Sequence, residues 1–278
     1  MKPHQLSKVA VVLTAAFLLA FPSSLPVLAQ LSFAPAVTYG SGGYYATSVA
    51  VANVNRDGIP DMVVTNCNSL NNGGCNSAAV GAVGVLLGDG DGTFQTAVAY
   101  SSGGYVFATS VAVADVNGDG KPDLLVTNAC FLSSNEGGCD NGSVVVLLGN
   151  GDGTFKEPVR YNSGGGQASS VAVADVNGDG KPDLVVANTC ARSGVDGCNN
   201  GSVGILLGNG DGTFQTAVPY SSGGYYAVSV ALADVDGDGK SDIVVMNQCT
   251  TGGATGCTNT VGLVGYCWAT VTVLSSRW

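Results

Sequence analysis

The chain has 278 residues, a mean hydropathy of +0.29, and 10 basic against 20 acidic residues, a net charge of −10. So acidic a balance lacks the basic footprint that nucleic-acid binding needs, and it offers no attraction to anionic lipid. The one histidine, His4, lies in the N-terminal 29 residues, so the rest of the chain has no imidazole for a Ser-His-Asp or Cys-His arrangement.

Taken in order, residues 1–29 read as a secretory signal. Lys2 and Lys8 give a basic start, Val9–Ala20 an apolar core, and Val27-Leu28-Ala29 a small-residue cleavage site. Pro22 and Pro26 interrupt the apolar run before it reaches a spanning length. No later stretch reads as a transmembrane helix. The expected product is a secreted or cell-surface chain (a periplasmic one is the alternative) of residues 30–278, with a net charge of −12 once the two leader lysines are gone.

The mature chain repeats. NVNRDGIPD at Asn53–Asp61 returns as DVNGDGKPD at Asp115–Asp123 and Asp175–Asp183, and as DVDGDGKSD at Asp234–Asp242. The starts lie 62, 60 and 59 residues apart, the signature of an array of one unit. The units divide at about 33–93, 94–154, 155–213 and 214–278. The second predicts four strands: A at Thr109–Ala114, B at Asp123–Asn128, C at Ser143–Leu148 and D at Thr154–Tyr161. Short valine-rich runs with turn signals every 8–12 residues predict an all-β chain. Four-stranded units repeated around an axis predict propeller blades.

The opening LSFAPAVTYGSGGYY aligns with TFQTAVAYSSGGYV at Thr93–Val106, which predicts an orphan strand D. That strand is placed to complete the last unit and close a ring. Past Val264 the last unit leaves the pattern, and Cys267, Trp268 and Trp278 have no counterparts. A partial propeller therefore stands beside the closed ring.

Each nine-residue loop sets oxygen-bearing side chains at positions 1, 3, 5 and 9 with glycine at position 6. Alternating hard oxygens on a tight turn, joined by the carbonyl at position 7, suit Ca²⁺, and glycine permits the turn. The candidate ligands are Asp115, Asn117, Asp119, Lys121 (carbonyl) and Asp123; Asp175, Asn177, Asp179, Lys181 (carbonyl) and Asp183; and Asp234, Asp236, Asp238, Lys240 (carbonyl) and Asp242. The first loop offers Asn53, Asn55, Asp57, Ile59 (carbonyl) and Asp61. It has lost a charge at position 1 and carries Arg56, so weaker binding is expected there. Position 12, where an EF-hand has a bidentate glutamate, is Val64, Val126, Val186 or Val245. The expectation is a calcium loop in a β-hairpin with three or four Ca²⁺ per chain; the alternative is a metal-free Asx/Gly turn. The GDGDGTF and GNGDGTF segments between strands C and D read as tight turns, with a second metal site as the alternative.

Eight of nine cysteines fall into register as Cys67/Cys75, Cys130/Cys139, Cys190/Cys198 and Cys249/Cys257. In an exported chain these predict four local disulfides between strands B and C. The connectors at Ser41–Tyr45, Ser102–Phe107 and Ser222–Tyr226 carry aromatics toward the face opposite the calcium loops. Tyr44, Tyr45, Tyr105, Tyr225 and Tyr226 are candidates for a ligand surface there, with packing between blades as the alternative.

SVAVADVNGDGKPDLVVAN followed by LLGNGDGTF resembles the FG-GAP/VCBS-type repeat, the blade unit of integrin α-subunit propellers, over residues 33–264. The resemblance implies Ca²⁺ at the A–B loop through positions 1, 3, 5, 7 and 9. Seven blades are usual in that family, and four repeats depart from it. The functional expectation is a calcium-stabilised, non-enzymatic binding or adhesion module for an extracellular protein or polysaccharide. The alternative is a calcium-dependent polysaccharide lyase or glycoside hydrolase, for which Glu157, Arg160 and Arg192 are the irregular charges.

Overall fold

The computed structural model describes residues 33–68, 80–103, 108–131, 141–191, 200–249 and 270–274. Residues 33–38 belong to a first unit that runs to Thr38, and they contain no strand. The unit that follows is built from antiparallel sheets in chain order, and every described strand follows the up-and-down path of a propeller blade. The first sheet has β1 (Tyr44–Ala52), β2 (Asp61–Asn68), β3 (Val80–Leu86) and β4 (Val98–Ser101). The second has β5 (Ala108–Ala114), β6 (Asp123–Phe131), β7 (Asn141–Leu147) and β8 (Val159–Asn162). The third has β9 (Gly166–Ala174), β10 (Asp183–Cys190), β11 (Ser202–Leu206) and β12 (Val218–Ser221). The fourth has β13 (Tyr225–Ala233), β14 (Asp242–Cys249) and β15 (Thr270–Leu274). Among the described residues no helix is long and apolar enough to cross a membrane.

Strands B and C of the inner blades are buried on both faces, which is why they read as unbroken apolar runs rather than alternating ones. Leu124, Leu125 and Val126 are all fully buried. One side of each blade packs on the blade before it and the other on the blade after it. Val54, Val63, Val83 and Val85 of the first blade meet Val111, Leu124 and Val126 of the second in one cluster. The same positions recur between the second and third blades and between the third and fourth.

Two polar devices tie the blades, and neither was evident in the sequence pattern. The first is an inter-blade hydroxyl. Strand A carries a bulge, seen as a register shift between Ala108 and Ser110, which turns one side chain toward the next blade. Thr47 Oγ1 thereby donates to the Ala108 carbonyl at 2.6 Å, Thr109 to Ala168 at 2.8 Å, and Ser169 to Ala227 at 2.9 Å. The second is a buried asparagine on strand B. Asn66, Asn128, Asn188 and Asn247 donate through Nδ2 to the carbonyls of Ser41, Ser102, Ser163 and Ser222 in the preceding Ser/Gly connector. All four asparagines are fully buried, so each must keep its partner.

Two expectations change. Strand D is shorter than predicted: β8 starts at Val159, and Phe155 makes only an isolated bridge to Gly149. The Lys156 N–H is drawn back to the Leu148 carbonyl at 2.8 Å, so the chain crosses before it rejoins the sheet. Nor is the orphan N-terminal strand seen: among the described residues no strand precedes Tyr44, and the fourth sheet shows three strands. The alignment behind it was nonetheless correct in position. Tyr39 stacks edge-on against Phe94 with centroids 5.4 Å apart, as the strand-D residue Tyr100 does on Phe155 and Tyr161 on Phe214.

Candidate metal centres

The A–B loops fold by local necessity. Positions 4 and 6 both take left-handed backbone: Gly118 and Gly120 have φ of 72° and 76°. Only position 6 is glycine in all four copies, yet position 4 carries the same demand. In the first loop Arg56 holds position 4 at φ 65°, a conformation that costs a non-glycine residue energy. The turned backbone aims its N–H groups at the carboxylates. Asp115 accepts from Gly118 and Gly120, both at 2.8 Å, and Asp175 and Asp234 accept from the matching glycines. Asn117 accepts from Asp119 N–H at 3.0 Å, and Asp119 from Lys121 N–H at 3.0 Å. The third and fourth loops repeat this ladder through Asn177, Asp179, Asp236 and Asp238.

Position 9 does more than the spacing implied. Asp123 Oδ2 accepts from Val116 N–H at 2.9 Å, and its Oδ1 accepts from Gly149 N–H in the C–D turn at 2.8 Å. Asp61 and Asp183 span the same two segments, with Gly88 and Gly208 as the far donors. Asp61, Asp123, Asp183 and Asp242 are all buried. The C–D turn in turn closes on itself: Asp152 accepts from both the N–H and the hydroxyl of Thr154. This hydrogen bonding supports the tight-turn reading of GNGDGTF.

Among the described residues, the fourth loop brings three carboxylates together. Asp234, Asp236 and Asp242 each bring a carboxylate oxygen within 4.8 Å of the others. Oxygens on opposite sides of a Ca²⁺ ion, each at 2.3–2.6 Å from it, are separated by about that span. In the second and third loops asparagine stands at position 3, so one charge fewer is available. The first loop is also suited in one respect: Asn53 Oδ1 is buried without a hydrogen-bond partner. Position 12 is excluded as a ligand, because Val64, Val126, Val186 and Val245 lie within strand B and are buried in the core. Lys121 and Lys181 make exposed ion pairs to Asp119 and Asp179 at 3.3 and 3.9 Å, contacts that contribute little to stability.

Burial pushes the Asp123 and Asp183 carboxyls above the ordinary 3.8, and the carboxylates of the same loops add to it, against two backbone donors each. For Asp175, desolvation is the largest single influence and acts upward. The donors Gly180, Gly178 and Asp179 together outweigh it, and its carboxyl lies below the ordinary value. Hydrogen bonds from Thr93, Thr154 and Thr213 lower Asp91, Asp152 and Asp211. A raised value means that the folded chain holds the proton more tightly than the unfolded one. The contribution of Asp123 and Asp183 to stability is therefore present below pH 3.8 and is lost as pH rises through their folded values. A carboxyl-carbon NMR titration of metal-free protein should show these two above 3.8 and Asp91, Asp152 and Asp211 below it. Adding Ca²⁺ should move Asp123 and Asp183 downward, and if both stay put, position 9 is not beside the metal.

The candidate tyrosines lie at the end of strand A remote from the loops. Tyr44 pairs with Cys67 and Tyr225 with Cys249, at the base of the B–C connection. Tyr44 and Tyr45 are exposed, Tyr225 and Tyr226 are half-buried, and Tyr105 lies outside the described residues. Tyr45 and Tyr226 have φ of 49° and 55°, and Gln167 takes the same conformation at 57°. Cys67 and Cys190 are disulfide-bonded. Their expected partners Cys75 and Cys198 lie outside the described residues, as do Cys139 and Cys257; of the Cys130 and Cys249 side chains nothing is described. Arg160 donates to the Gly103 carbonyl, and Arg192 lies outside the described residues.

The chain is similar to known proteins. The chain is 30% identical over 175 residues to phosphatidylinositol-glycan-specific phospholipase D of Mus musculus, covering 58% of this chain and 20% of that protein. It is 31% identical over 190 residues to integrin alpha pat-2 of Caenorhabditis elegans, covering 61% of this chain and 15% of that protein. The chain thus spans a fifth or less of these relatives. One of them bears an enzyme's name, so the expectation of a non-enzymatic chain finds no support here. Among solved structures, a rhamnogalacturonan lyase of Bacillus licheniformis aligns with a TM-score of 0.47 at 17% identity, over 80% of this chain and 44% of that one. The model of the FG-GAP-like repeat matches residues 73–126, 131–186 and 193–245, together more than half of the chain, and the FG-GAP repeat matches 107–147 and 168–206. With the same loop and turn recurring through those stretches, the chain belongs to the FG-GAP-like repeat family.

Proposed function

We propose that the protein is an exported, calcium-stabilised binding module that takes an extracellular protein or polysaccharide. The observation that carries the calcium reading is the convergence of Asp234, Asp236 and Asp242 within 4.8 Å on a loop built four times. Calcium there is structural. It neutralises clustered carboxylates and fixes the A–B hairpin, and the residues supply only oxygen ligands. Export is supported by the leader-like pattern of residues 1–29 and by the disulfide-bonded Cys67 and Cys190, since disulfides favour an oxidising compartment. The binding role rests on the exposed tyrosines at the far end of strand A, where a flat apolar ring with a polar tip suits recognition. The integrin-named relatives accord with an adhesion role at the cell surface.

Calcium titration of residues 30–278 by calorimetry, with metal analysis of the same sample, tests this reading. Three or four Ca²⁺ per chain are expected, and Asp234→Asn with Asp236→Asn should remove one. A chain that binds no Ca²⁺ would show the loops to be Asx/Gly turns only.

A further inference from the structure

The three internal blade contacts show what each face of a blade looks like when covered, and among the described residues two faces are left bare. On strand A of the first blade, Val49 is 59% exposed, whereas its counterparts Val111, Val171 and Val230 are 8%, 7% and 7% exposed under the preceding blade. Val51 beside it is 67% exposed. At the other end, Val235 of the fourth blade is 56% exposed, while Val54 and Val116 at the same position are at 1% under the next blade. Met246 is 42% exposed where Thr65 and Thr127 are fully buried. Ala231 and Ala233 on the same strand face are exposed as well.

The bare faces are the two halves of one established contact. Inside the chain, the face equivalent to Val235 and Met246 always packs on the face equivalent to Val49. The fourth blade has also changed in a telling way. Val228 stands where Thr47, Thr109 and Ser169 donate their inter-blade hydrogen bond, and Met246 replaces a buried threonine or alanine. Both changes make the face more apolar than its internal counterparts. An apolar patch of this kind on an otherwise acidic chain marks an association surface.

We propose that a second copy of this chain sits head to tail on it, the inner strands β13 and β14 of one copy against β1 of the other. The contact is heterologous, with a different patch on each copy. Its geometry is that of the internal blade contacts.

Light scattering of residues 30–278 in Ca²⁺, at concentrations up to about 100 µM, should give at least the mass of two chains. Val49→Glu with Val51→Glu damages only the leading face, and Met246→Glu with Ala231→Glu only the trailing face. All four positions are exposed, so melting of the monomer should be unchanged. Each variant alone should be monomeric, with association weakened at least 100-fold. Mixing them should restore a one-to-one pair, because each retains one intact, complementary face. A monomeric wild type would overturn the proposal, whether the chain is open or closed on itself. So would variants that still associate alone, or a mixture that stays monomeric.

Discussion

Chelating calcium from the mature chain is expected to lower its melting temperature by on the order of 15–30 °C. A site held at a hundred times its dissociation constant adds about 2.7 kcal/mol, so three filled loops contribute roughly 8 kcal/mol. For a chain of about this size each kcal/mol shifts melting by about 2–4 °C. The effect should reach beyond the loops. Gly153 and Gly212, in the C–D turns of the second and third blades, lie so close to the loops before them that an added Cβ would stand 3.5 and 3.4 Å from the Cβ of Asn55 and Asn117. A loop that opens without its cation therefore loosens the seat of the next blade. Magnesium should restore little, since it demands a tighter octahedral shell than these loops offer. Calorimetry with and without excess chelator measures the shift. No shift, with no metal in the sample, would leave the loops as turns held by their own hydrogen bonds.

What the sequence made legible were features written in local spacing. Asp-x-Asn-x-Asp-Gly fixes where the turn must lie, because the ladder of donors and acceptors from Asp115 to Lys121 falls within seven residues. The strand order within a blade followed from the same local turns. Features that join distant segments were hidden. Thr109 looks like any β-branched strand residue until a bulge turns its hydroxyl to Ala168, 59 positions away. Asn128 reads as a polar residue near a strand end until Ser102 appears beside it. A weak signal existed, since asparagine recurs on every strand B and serine in every connector. The shortened strand D has a local cause. The strand-D sequence spends its first residues on the C–D turn, and its tyrosine both pairs with strand C, as Tyr100 with Val83 and Tyr161 with Val144, and stacks on the next blade's phenylalanine. Tyr220, which has no such phenylalanine ahead of it in the fourth repeat, is exposed.

Asp183→Ala should destabilise the chain by about 2–6 kcal/mol even in chelator, because the carboxylate is a strut as well as a candidate ligand. Its two oxygens accept from Val176 and Gly208 at 3.0 and 2.8 Å. Deletion strands two backbone donors, each at about 1–3 kcal/mol if left unsatisfied. Asp183→Asn should be intermediate, since its amide keeps one acceptor and turns a donor toward the other N–H. Asp179→Asn in the same loop is the control: its side chain is 38% exposed, so its loss should matter in calcium and little in chelator. Gly208→Ala attacks the same contact from the other side, because the added Cβ would lie 2.1 Å from the Pro182 carbonyl, a backbone atom with no room to yield. If both changes break one Asp183–Gly208 link, the double variant should lose less than the sum of the two. Urea unfolding in chelator decides it. An Asp183→Ala variant as stable as the parent under those conditions would mean that the carboxylate acts through the metal alone, and the strut between the A–B loop and the C–D turn would have no weight of its own.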